Sequence, residues 1–144
     1  MTIQTYANHR RNVFMYHVVL FGLLFVTLIG SLVNFYKSIG DHQRIYSASL
    51  IVVLDICVLL LFFFCRIFAL KAQDRAIRAE ENLRHFVLTG KLLDPGLTIR
   101  QIIGLRFASD GEFVELSQRA AREQLSADAI KRAVKNWRPD TYRV

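Results

Sequence analysis

Two ionisable residues stand in the most apolar part of this chain, Asp55 and Arg66 within the run "IVVLDICVLLLFFFCRIFALK" from Ile51 to Lys71. An acid in such a place can hydrogen-bond a neighbouring helix, meet a partner's cation, or serve an ion or proton path. His17 lies in an earlier apolar run and is the other group there able to handle a proton near neutral pH. Cys57 and Cys65 are eight residues apart, with no His or Cys at ligand spacing, and read as small apolar fillers. His9, His17, His42 and His85 show no metal spacing, and the chain has no phosphate-cradling glycine loop and no adjacent nucleophile and base. The expectation is a non-enzymatic protein with no catalytic residue, cofactor, metal or small-molecule substrate.

The elements that position these residues follow from two halves of opposite character. From Val13 to Leu70 the only formal charges are Lys37, Asp41, Arg44, Asp55 and Arg66; from Lys71 onward, 14 Lys or Arg face 10 Asp or Glu. A bilayer core of about 30 Å takes roughly 20 apolar helical residues, and 13–35 and 47–70 both qualify. Their β-branched residues do not argue for strands, because in lipid only a helix or a closed barrel pairs every backbone group. A cleaved signal peptide is the rival for the first run, but that run is too long and no small-x-small site follows it.

The expected fold is an all-α membrane protein: a two-helix transmembrane hairpin, its second helix extended into the cytoplasm and followed by a small cytoplasmic helical domain. Residues 1–12 form a cytoplasmic N-terminus, 36–46 an external loop, 71–90 the helical extension and 91–144 a three-helix domain. Arg10 and Arg11 before the first span, and Lys71, Arg75 and Arg78 after the second, outnumber Lys37 and Arg44 in the loop. The charge bias puts both termini on the cytoplasmic side.

Counting about 1.5 Å per residue from the cytoplasmic ends puts Asp55 level with Thr27 and Leu28, and Arg66 level with His17 near the interface. Asp55 and Arg66 are about 16 Å apart along the axis and cannot pair directly. Arg66, His17, Arg10 and Arg11 are therefore expected at the lipid headgroups. Thr27, Ser31 and Asn34 recur at helical spacing beside Gly30, offering Asp55 a polar stripe; a partner contact is the competing use of the acid.

No Gly or Pro occurs between Gly40 and Gly90, so the second helix can run on to Gly90, a left-handed stop. Ala69, Ala76 and Leu83 repeat at seven residues, as do Ala72, Ala79 and Phe86. This gives a cytoplasmic partner seam of Ala72, Ala76, Ala79, Leu83 and Phe86, with Asp74, Arg75, Arg78, Glu81 and Arg84 expected to stay solvated. Three start signals follow: Thr98 with Gln101, Ser109 with Glu112, and Ser126. Ile130, Ala133, Val134 and Trp137 are expected to form the inner face of a last helix ended by Pro139.

The runs "KAQDRAIRAEENLRHFVLTGKLL", "LTIRQIIGLRFASDGEFVEL" and "IKRAVKNWRPD" resemble an uncharacterised family of short bacterial membrane proteins, classed as a domain of unknown function. The resemblance implies a bacterial inner-membrane setting, no chemistry and no residue roles. The expected function is an accessory, assembly or scaffold subunit of an inner-membrane complex, with integral membrane proteins and lipids as partners. Two alternatives stand beside it: a homo-oligomeric ion or proton path around Asp55, and binding of anionic lipid by the basic C-terminal half. Nucleic acid is the weaker target there, since acids are interspersed among the bases.

Overall fold

The computed structural model describes residues 5, 6 and 13–140, and every element among them is helical apart from one isolated β-bridge. The chain divides into two compact units, one within 12–68 and one from Ala69 onward together with the N-terminal residues.

The first unit holds a helical hairpin. It opens as a π-helical stretch, Met15–Leu20, and continues as α1, Phe21–Lys37. Helix α2 begins at His42 and runs to Thr89 without interruption. The eleven-residue connection expected over 36–46 thus contracts to the turn at 38–41. Gly40 takes φ +98°, a left-handed conformation that suits glycine, and the Asp41 carboxylate caps α2 by accepting from the amides of Gln43 at 3.1 Å and Arg44 at 3.2 Å. Both helices are long enough and apolar enough to cross a membrane.

In the second unit, α2 stops where Gly90 turns left-handed at φ +74° while its amide still bonds the Phe86 carbonyl. Three short helices follow: α3, Ile99–Leu105; α4, Asp110–Arg122; and α5, Ala127–Ala133. Thr98 with Gln101 and Ser109 with Glu112 form reciprocal capping boxes, and Ser126 accepts from the amide of Ala129. Leu105, Phe107, Phe113 and Ile130 are fully enclosed, and Ile77 of α2 joins the same apolar cluster as Ile102, Leu116 and Val134. The helices α3 and α5 meet at Gly104, where an added Cβ would lie 3.1 Å from the Ala127 carbonyl oxygen and 3.2 Å from the Ile130 side chain. Gly104→Val is accordingly expected to cost about 1–3 kcal/mol by overpacking, read as a lower unfolding midpoint by circular dichroism.

The last helix ends earlier than expected. Val134 is already extended, so α5 closes at Ala133 rather than at Pro139, and Trp137 lies beyond it. Trp137 bridges antiparallel to Ala108, the Arg138 amide donates to the Phe107 carbonyl at 2.8 Å, and the Trp137 and Phe107 rings lie 4.8 Å apart. The competing partner is Glu112, whose carboxylate accepts from the amides of Lys135 and Asn136 at 3.0 Å each. Those amides find a better acceptor than another helical turn would supply.

Candidate functional site

Within the hairpin, the inward stripe of α2 comprises Ala48, Val52, Asp55, Leu59, Phe62 and Arg66, alternating steps of four and three. Such alternation keeps one face against a single neighbouring helix. The Tyr16 hydroxyl donates to the Phe62 carbonyl, and the two rings stack at 4.3 Å. Phe21 packs against Phe62 and Phe63 as well. Seven residues from Phe62 back to Asp55 correspond, on the antiparallel helix of the hairpin, to seven residues forward from Tyr16. That brings Asp55 level with Leu23 and Leu24, one turn short of Thr27. The turn at 38–41 gives the same level, since Asp55 is thirteen residues into α2 from His42 and Leu24 thirteen residues back from Lys37.

The polar stripe therefore splits. Ser31 is buried on the inward face, but its hydroxyl donates to the Leu28 carbonyl at 2.9 Å. Thr27 and Asn34 are exposed; the Thr27 hydroxyl bonds the carbonyls of Leu23 and Leu24, and the Asn34 carbonyl accepts from Ser38. The Oδ2 atom of Asp55 is enclosed and meets no hydrogen-bond partner among the described residues. His17 turns back on its own helix, Nδ1 lying 3.0 Å from the Val13 carbonyl, and Arg66 is half-buried on the inward stripe. Cys57 and Cys65 are free and exposed. Arg10 and Arg11 lie outside the described residues.

Beyond Ala69, the face of α2 that meets the short helices is not the expected seam. The seam residues Ala72, Ala76, Ala79, Leu83 and Phe86 are all exposed, while Ile77, Glu81 and His85 are buried. The expectation that Glu81 and Arg84 stay solvated is corrected here. Arg84 donates through Nη1 to Glu81 at 3.0 Å, through Nε to Asp110 at 2.7 Å and through Nη2 to the Ala108 carbonyl at 2.7 Å, with its guanidinium 4.2 Å over the Phe113 ring. One planar cation thus joins α2 to the start of α4 by three directed bonds. Burial raises the Glu81 carboxyl above its ordinary range, opposed by the bond to Arg84.

His85 also belongs to this junction, a role that the sequence did not mark. Its Nδ1 lies 2.7 Å from the Lys91 carbonyl, which can only accept, so Nδ1 is the donor of that bond. The ring packs against Phe113 and lines a cleft of about 400 Å³ bordered by Lys91, Asp94, Ser117, Gln118 and Arg122. No cluster of three or more His, Cys, Asp or Glu able to hold a metal occurs among the described residues.

Two further contacts close the unit. The Tyr6 hydroxyl donates to Asp128, and Arg132 lies 5.2 Å from the centre of the Tyr6 ring, tying the N-terminal residues to α5. For Glu112, burial would raise the carboxyl, but the amides of Lys135, Asn136 and Ser109 and the Ser109 hydroxyl together hold it below its usual range. A lowered acid contributes stability that is complete above its unfolded value, near 4.5, and lost as pH falls through the lower folded value. Acidification below that value is expected to loosen 134–138 while the helices persist. Trp137, the chain's single tryptophan, reports this by fluorescence, and Glu112→Gln should remove most of the pH dependence.

An apolar helical hairpin whose second helix continues into a folded, charged helical unit defines an all-helical protein with two helices of membrane-spanning length. Across residues 1–144 the chain matches the family described as "Family of unknown function (DUF6526)", and it belongs to that family. No curated protein and no solved structure matches it.

Proposed function

We propose that this protein is an accessory or scaffold subunit of a larger complex in a bacterial inner membrane, anchored by the hairpin and presenting its helical unit in the cytoplasm. The observation that carries the reading is the sharing of α2: to Phe68 it belongs to the hairpin, and from Ala69 to the unit built around Arg84. A single helix therefore serves as anchor and as docking platform. Exposed Leu23, Val26, Leu54, Leu61 and Phe68 on the hairpin suit lipid as their surroundings.

Topology is supported from two directions. The Lys and Arg bias favours cytoplasmic termini, and the Tyr6 contact with α5 gathers residues before α1 and after α2 into one unit, as an even number of spans requires. Asp55 is only half-buried, and the part of the side chain that is not enclosed offers a place for an integral membrane partner. Extraction of native membranes with mild detergent, purification through the full chain and mass spectrometry test the proposal. A reproducible membrane protein partner is the expected result; recovery of this chain alone would overturn it.

A further inference from the structure

Helix α2 between Ala69 and Thr89 has two faces, and only one of them is covered by the described residues. At 100° per residue, Ala72, Ala76, Ala79, Leu83 and Phe86 fall in an arc of about 80°, and the buried Ile77, Glu81, Arg84 and His85 centre roughly 150° away. Docking of the short helices on the second face leaves the first open, with Leu83 63% and Phe86 51% exposed. Leu83 and Phe86 are large apolar side chains that water does not favour, and they stand where a seven-residue repeat places the inner positions of a helix pair.

The charges beside the apolar face select the occupant. Arg75 flanks it on one side and Glu80 on the other, each about 70° from its centre and five residues apart. In a parallel, in-register helix pair this is the spacing at which one chain's flank meets the opposite flank of the next. Arg75 of each copy would then face Glu80 of the other, giving two ion pairs by symmetry. An antiparallel pair sets like flanks together, so Arg75 would face only Arg75 or Asn82 and the complementarity would be lost. Ala72, Ala76 and Ala79 allow close approach at one end, while Leu83 and Phe86 fill the space at the other before Gly90 ends the helix.

We propose that this face is a parallel self-association surface: a second copy of this chain packs along Ala72, Ala76, Ala79, Leu83 and Phe86, with Arg75 of each copy reaching Glu80 of the other. The parallel direction accords with the membrane reading above, which inserts every copy the same way round. Confinement to a bilayer raises the effective concentration, so a surface of little more than two heptads suffices.

The test uses the full chain in native membranes, with Cys57→Ala and Cys65→Ala as background and single replacements Ala76→Cys, Ala79→Cys, Leu83→Cys and, outside the face, Arg78→Cys. Oxidation should give a band of twice the chain mass at 76, 79 and 83 and little at 78, since only parallel copies in register bring all three identical positions together. Arg75→Glu should weaken association about tenfold, and Arg75→Glu with Glu80→Arg should restore it. Monomer alone, equal bands at all four positions, a band of another mass, or failure of the double replacement to restore association would overturn the proposal. Alkaline extraction of the same membranes keeps the two readings apart: a chain that is washed off yet still crosslinks along the face defeats the membrane reading alone.

Discussion

Arg84→Ala is expected to destabilise the unit from Ala69 onward by about 3–5 kcal/mol, the cost of leaving one partner of a buried ion pair without the other. Glu81 would lose its cation in a site only 5% exposed, the Ala108 carbonyl its donor, and the Phe113 ring the guanidinium above it. Asp110 contributes little to that figure, because its side chain is 68% exposed and water replaces the bond. The loss should be largest near neutral pH. Burial already raises the Glu81 carboxyl, so the stability linked to its protonated form is complete below the ordinary value of 4.5 and is lost as pH rises through the folded value. Removing Arg84 lifts that folded value further, and the variant should recover part of its stability on mild acidification. Arg84→Lys should rescue poorly, since an ammonium cannot reproduce a planar fork aimed at three acceptors. Hydrogen exchange across α3 to α5 measures the effect, and a loss below about 1 kcal/mol would show that the junction does not depend on this cation.

Asp55→Leu is expected to act in the opposite direction on the hairpin. An enclosed polar atom without a partner costs about 1–3 kcal/mol, and the leucine replaces it beside Leu24, so the purified hairpin should resist unfolding in mixed detergent micelles more strongly. Asp55→Asn keeps a polar group at the same place and should fall between the two. The same replacements bear on function: under the proposed scaffold role, Asp55→Leu gains stability and loses the membrane partner. Liposome flux distinguishes the ion-path alternative, because equal flux for the native chain and Asp55→Asn would remove it. A leucine variant that is less stable than the native chain would show that the carboxyl has a donor inside the hairpin after all.

What could be read from the sequence followed the range of the interactions. Thr98, Ser109 and Ser126 were legible as helix starts because each satisfies amides two or three residues away, and Gly90 as a stop because its backbone conformation is its own property. The two long apolar helices were legible by length and composition. Their register was not, because the tight turn at 38–41, rather than the outer ends of the two apolar runs, aligns the helices and moves Asp55 from Thr27 to Leu24. The choice of faces on α2 was equally hidden. Glu81 and Arg84, three residues apart, look like an ordinary solvated pair until Ala108, Asp110 and Phe113 arrive from more than 20 residues away. The early end of α5 had the same origin, since Glu112 captures amides 23 and 24 residues ahead of it.

The bond between Tyr6 and Asp128 spans 122 residues of chain. During synthesis Tyr6 must wait until both long helices and α3, α4 and α5 have been made, and the entropy of closing so large a loop is recovered only when those segments already hold its ends close. The contact therefore cannot form before the start of α5 has been made, and a reporter on Tyr6 would mark the moment at which this residue docks on that helix.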